Sequence, residues 1–252
     1  MAYSPDNGQH QSQDFLDSIG VVPVDIPSEA GNVRTWRLEP ETPLATLVHF
    51  HGSGFNLSKH IDHVCWLKEH GFRVIAFDYP GYGDSTGEPS RQSVMQAADV
   101  VLNWVARSYP SQKMFLFGQS LGGAIAIEAI IKFKPDYLGL ILDSTFSRYR
   151  DMAVHRLVKF GLPGALARWF APLLNTAHDP IEFAKALVAP TLVLHSTTDD
   201  VVPFSQGKML FRNIPGAEFW PQHARGHTDV LRPDFSDFRQ RLVGWMLAHL
   251  NE

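Results

Sequence analysis

The chain has 252 residues, 44% of them hydrophobic and 19% charged, with a formal net charge of −4. That composition supports a large packed core, excludes wholesale disorder, and lacks the basic surplus of a general nucleic-acid binder. A lone cysteine, Cys65, excludes an internal disulfide, and no apolar run approaches the roughly 18 residues that span a bilayer.

Residues 1–18 open with a stretch rich in Gln, Ser and Asp and are predicted to be a disordered tail. They carry neither the basic start and apolar stretch of a signal peptide nor an early cysteine for lipid attachment. A cytoplasmic location is the expectation from those signals. Two segments, Val21 to Ile26 and Val33 to Leu38, read as an antiparallel pair at one edge of a sheet. Continuous apolar runs then recur at Thr46 to Phe50, Val74 to Phe77, Met114 to Phe117, Leu138 to Leu142 and Thr191 to His195. Unbroken runs of this length are buried strands covered on both faces. Ala217 to Trp220 reads as the last strand.

Helical periodicity lies between the strands. Val94, Ala97, Ala98, Val101, Leu102 and Val105 form one stripe, and Phe238, Leu242, Trp245 and Met246 belong to another near the C-terminus. A shorter stripe is made by Ile61, Val64 and Cys65. Such alternation predicts an α/β protein with a mostly parallel central sheet flanked by helices. Residues 144–187 break the rhythm. They are too long for a plain connection, hold helical pieces around Val154, Leu157 and Val158 and around Ala165 and Trp169, and carry a net +3. This segment is read as a helical cap, inserted into a core made of residues 19–143 and 188–252.

The chemistry is concentrated around Gly118-Gln119-Ser120-Leu121-Gly122, where a buried strand runs straight into a helix. In that context G-x-S-x-G is a strained turn that lifts the serine hydroxyl above the sheet, with small residues before and after it to avoid collision. Ser120 is the candidate nucleophile. A serine needs an adjacent base, and the loop after the last strand offers His223 and His227. His227, beside Gly226 and ahead of the final helix, is preferred, and His223 reads as an exposed loop residue. The orienting acid is sought after an earlier strand, where Asp199, Asp200 and Asp143 all qualify. Asp199 has the best spacing to Val201-Val202-Pro203, and Asp200 is read as a turn cap. For the oxyanion hole, the Leu121 N–H is one donor, and Ser53 N–H in the loop His51-Gly52-Ser53-Gly54-Phe55-Asn56 is the other, with Gly54 as the alternative. Phe55 and Tyr82, on loops beside the site, are candidate substrate-binding residues.

The blocks HFHGSGFNLS, FDYPGYGDSTGEPS, GQSLGG, DSTF, HSTTDDVVP and GHTD occur in that order. Together they resemble an α/β-hydrolase-fold serine hydrolase over nearly the whole chain from about Val21. Within that superfamily the sequence is most similar to the bud-emergence-protein-like branch, which includes bacterial esterase-like proteins and depalmitoylase-type relatives. The resemblance implies catalytic Ser120, Asp199 and His227, with no metal and no organic cofactor. The oxyanion loop reads HGSGFN where relatives more often read HGNAGN.

The expected activity is hydrolysis of a small-molecule ester or thioester through an acyl-enzyme. Trp169, Phe170, Leu173 and Leu174 in the cap point either to an acyl or aromatic group as substrate or to a core role for the same side chains. Two rival readings stand beside it: a peptidase or amidase with the same triad, and a non-catalytic ligand-binding protein. His49 and His51 lack the Asp and His that would complete a metal site. His60 and His63 read as a solvated helix face, and Cys65 as a small core residue. Gly81-Tyr82-Gly83 lacks the third glycine of a dinucleotide fingerprint.

Overall fold

The structure is a computed structural model that describes residues 3–170, 178–223 and 226–250. Eight strands form one sheet in the order β1-β2-β4-β3-β5-β6-β7-β8. They are β1 (Val21–Ser28), β2 (Gly31–Leu38), β3 (Ala45–Phe50), β4 (Phe72–Phe77), β5 (Met114–Gln119), β6 (Gly139–Asp143), β7 (Thr191–Ser196) and β8 (Glu218–Gln222). β1 pairs antiparallel with β2, and β2 with β4. All later pairings are parallel, as the continuous apolar runs predict.

Alternating side chains of each strand feed two cores. On one face Val48 and Leu116 pack with α3 (Arg91–Ser108) and α4 (Leu121–Phe133). On the other, Leu47 and Phe117 pack with Leu242 and Met246 of α9 (Ser236–Leu250) and with Leu16 of α1 (Gln13–Ile19). The stripe at Ile61 and Val64 is buried as expected, but as a one-turn helix, α2 (Leu57–His60), followed by two 3₁₀ segments over 61–63 and 65–70. Both edges of the sheet carry proline: Pro23 and Pro27 in β1, Pro221 in β8.

Between β6 and β7 lie α5 (Tyr149–Lys159), α6 (Gly164–Phe170) and α7 (Pro180–Ala184). Of the expected apolar cap residues, Trp169 is exposed. Leu173, Leu174 and the side chain of Phe170 lie outside the described residues. α8 (Phe204–Asn213) follows β7.

The expected disordered tail is overturned. Residues 4–10 hydrogen-bond to the loop after β3 and to Ser58 of α2, and Ser12 caps α1 by accepting from Phe15 N–H. Low apolar content misleads here because the segment is held by backbone bonds and by one buried anchor, Leu16.

Candidate active site

The carboxyl ends of β3, β5, β6, β7 and β8 share one edge of the sheet, where open α/β sheets bind ligands. Ser120 stands at the end of β5 with φ 52° and ψ −116°, a left-handed conformation that a serine adopts only when its surroundings impose it. Its N–H donates to Asp143 O at 2.9 Å. The turn is tight enough that a Cβ at Gly118 would meet Gly123 N at 2.7 Å, and one at Gly122 would overlap the Phe50 carbonyl oxygen. α4 begins immediately at Leu121, so its dipole and its free N–H groups face the serine.

Of the two loop histidines, His227 is the one paired with an acid: its Nδ1–H donates to Asp199 Oδ2 at 2.7 Å. The other Asp199 oxygen accepts from Val201 N–H at 2.9 Å and Val202 N–H at 2.8 Å. Burial raises the Asp199 carboxyl, but the hydrogen bond and charge of His227, with the Val202 N–H, outweigh it and leave the group below the usual carboxylate range. His195, buried beneath it, has Nε2 at 2.9 Å from Val202 O and 3.5 Å from Asp199 Oδ2, and burial pushes its imidazole down. Asp200 points away and pairs with Lys159 of α5 at 2.9 Å. His223 contacts Thr197 Oγ1 at the surface.

Asp143 is absorbed elsewhere. Gln119 Nε2–H donates to its Oδ2 and Ser144 Oγ–H to its Oδ1, both at 3.0 Å. His49 Nε2–H donates to Gln119 Oε1 at 3.0 Å. Ser144 Oγ in turn accepts from Thr228 N–H at 3.2 Å, so this buried chain reaches the residue next to His227. Burial pushes the Asp143 carboxyl up, with the Gln119 amide opposing, and it pushes His49 down to about 3. Both Ser144 and Thr228 have positive φ, 54° and 57°, which marks the contact as imposed by the fold.

The loop after β3 is fixed peptide by peptide. His51 Nδ1–H donates to Gly52 O at 2.8 Å, and His60 Nε2–H donates to Gly54 O at 2.8 Å. Between them, Ser53 O accepts from Tyr82 OH at 2.8 Å and Ser4 N–H at 3.2 Å. The N–H groups of Ser53, Gly54 and Leu121 have no acceptor among the described residues. A Cβ on Gly52 would sit 3.7 Å from Ser120 Cβ and 3.3 Å from His60 Cε1, so the loop lies directly against Ser120. Phe55 is half exposed at the rim, φ 61°, with its ring edge-on to His10 at 5.1 Å.

Two expectations change here. Tyr82 is fully buried and its hydroxyl is committed to Ser53 O and Ser4 N–H, so it supports the loop and does not face substrate. His60 is not solvated: its ring stacks on His51 at 5.2 Å, and burial, with His51 beside it, pushes it well below the ordinary imidazole range. The sequence reading missed His60, Ser144 and the N-terminal segment. A serine following a strand-end Asp was the visible signal for Ser144. Among the described residues no group of three or more His, Cys, Asp or Glu side chains is set to hold a metal, and no helix is long and apolar enough to cross a membrane.

Residues 41–165 match the family described as serine aminopeptidase, S33. Over its length the chain is 30% identical to the uncharacterized protein YfhR of Escherichia coli strain K12, covering 99% of this chain and 84% of that protein. It is 33% identical over 158 residues to the lysophosphatidylserine lipase ABHD12 of Danio rerio, covering 58% of this chain and 40% of that one. Among solved structures, the Pyrococcus furiosus esterase Pf2001 superposes with a TM-score of 0.78 at 17% identity, covering 98% of each chain. An eight-stranded, mostly parallel sheet with a strained serine at the end of its central strand, together with these relatives, places the chain in the α/β-hydrolase family that includes YfhR.

Proposed function

We propose that the protein is a serine hydrolase that cleaves carboxylic esters or thioesters through an acyl-enzyme on Ser120. The observation that carries this is the 2.7 Å bond between His227 Nδ1 and Asp199, on the same sheet edge as a serine held at φ 52°. Asp199 fixes the tautomer that leaves His227 Nε2 free as a base. His227 takes the Ser120 proton as Oγ attacks the acyl carbon. Negative charge then builds on the former carbonyl oxygen, which the N–H groups of Leu121 and of Ser53 or Gly54 stabilise. Collapse expels the alcohol or thiol, which takes the proton from His227. Water, deprotonated by His227, releases the acid and regenerates Ser120.

Esters are favoured as the substrate class by two relatives, the esterase Pf2001 and the lysophosphatidylserine lipase ABHD12. The narrower affinity with the bud-emergence-protein-like branch rests on the sequence blocks quoted above. The description of the matched family also keeps an amide substrate as a second reading.

The test is hydrolysis of p-nitrophenyl esters, acetyl through palmitoyl, together with mass-spectrometric mapping of a fluorophosphonate adduct. Wild type should turn over at least one ester and be labelled at Ser120. Ser120→Ala should lose both, with kcat down by on the order of 10⁶. Activity surviving in Ser120→Ala would overturn the assignment. Turnover of p-nitroanilides with no turnover of esters would favour the amidase reading.

A further inference from the structure

The N-terminal segment makes contacts that a passive tail does not need. Ser4 N–H donates to Ser53 O and, at 2.8 Å, to Tyr82 Oη. Asn56 Nδ2 donates to Asp6 O at 2.9 Å and Gly8 O at 2.7 Å. Gly83 N–H donates to Asp6 O at 2.9 Å, and His10 N–H donates to Ser58 Oγ at 2.9 Å. These bonds reach the loop after β3, the Tyr82 turn that supports it, and the first turn of α2 that follows the loop. The segment is itself stiffened by Asp6, which accepts from Gly8 N–H and pairs with His10.

A peptide unit is planar and trans, so its C=O and the following N–H point in opposite directions. Holding the Ser53 carbonyl therefore fixes where Gly54 N–H points, just as His51, by holding Gly52 O, fixes Ser53 N–H. Tyr82 holds the Ser53 carbonyl from one element and Ser4 from another. Asn56 fixes the far end of the same loop. It uses its Oδ1 to cap α2 through Ser58 N–H at 2.9 Å, and its Nδ2 to grip the segment.

We propose that residues 3–10 are a positioning strap of the catalytic site: they clamp the Ser53–Gly54 peptide and Asn56, and so set the second oxyanion donor. The strap rests on the serine-hydrolase reading and extends it to a part of the chain that no G-x-S-x-G signature includes. It acts on the transition state through the loop and makes no contact with substrate. Its loss therefore lowers kcat while leaving KM little changed, because the donor is needed most when the carbonyl oxygen becomes an anion.

Three variants test it. Asn56→Ser keeps an N-cap oxygen but cannot reach the strap. Ser4→Pro removes the N–H that holds Ser53 O. Deletion of residues 3–10 removes the strap. Rates are normalised to active sites titrated with a fluorophosphonate, so that misfolded protein is not counted. The expected result is a fall in kcat of about 10- to 100-fold for the deletion, with a smaller fall for each substitution. Affinity for an alkyl boronic acid, which mimics the tetrahedral anion, should fall in the same proportion, while KM changes less than about threefold. Asn56→Ser added to the deletion should cause no further loss. Unchanged kcat per titrated site in the deletion overturns the strap, as does a loss expressed in KM alone. A wild type that is labelled at Ser120 while the deletion behaves identically defeats the strap and spares the hydrolase reading. A wild type neither labelled nor active defeats both.

Discussion

The end of β5 and the α5–α6 segment are built in opposite ways. Around Ser120 every residue from Met114 to Ala129 except Glu128 is buried, and added atoms collide with backbone. Along α5 and α6, Phe160 is 88% exposed and Trp169 72%, with Leu157, Val158 and Leu166 also open to solvent. The first region fixes where Ser120 and the N–H groups at the start of α4 stand. The second has room to vary without disturbing them. The core around Ser120 is thus fixed on every side, whereas α5 and α6 present apolar side chains to solvent.

The sharpest way to break that contrast is at the acid. Asp199→Asn should lower kcat by about 10⁴-fold on any ester, because an amide would stabilise the wrong tautomer of His227. The same variant carries a pH signature. The folded carboxyl lies below its unfolded value, so its contribution to stability is full above the ordinary carboxylate range and is lost as pH falls through the lowered value. The stability gap between wild type and Asp199→Asn, read by urea denaturation, should therefore be widest near neutrality and close in acid. A gap that widens in acid would contradict the assigned hydrogen bonding.

A smaller effect is expected at Ser144→Ala, which cuts the link from Asp143 to Thr228 N–H. Activity should drop roughly 10-fold, since one positioning bond to the His227 loop is lost while the acid and base remain. The least effect distinguishes the two regions by stability alone. Leu116→Ala, under the nucleophile, should cost about 2–5 kcal/mol, whereas Phe160→Ser should stay within about 0.5 kcal/mol. Equal costs in thermal or chemical denaturation would mean that the α5–α6 face is covered in solution.

The parts legible in the sequence were those governed by apolar periodicity and tight turns. Strands β3 to β7 are continuous hydrophobic runs, and the glycines around Ser120 mark a turn with one solution. What escaped depended on contacts between distant polar groups. Asn56 grips carbonyls 48 and 50 residues away, and no local pattern announces that. Tyr82 is on a loop beside the site, the basis for reading it as a substrate contact, but its side chain is buried with its hydroxyl on Ser53 O. His60 escaped because the helix expected through it breaks into 3₁₀ turns, which bring its ring onto His51.

The prolines at the two sheet edges have a consequence for how copies of this chain meet. An exposed strand ordinarily offers a row of N–H donors on which another chain can crystallise into a continuous sheet. Pro23 and Pro27 remove two donors from the outer strand β1, with Asp25 between them, and Pro221 removes one from β8. Neither edge can therefore extend the ladder without gaps. Fibrillar, strand-to-strand growth is discouraged at both ends of an eight-stranded sheet, and association of copies is steered to helices and loops.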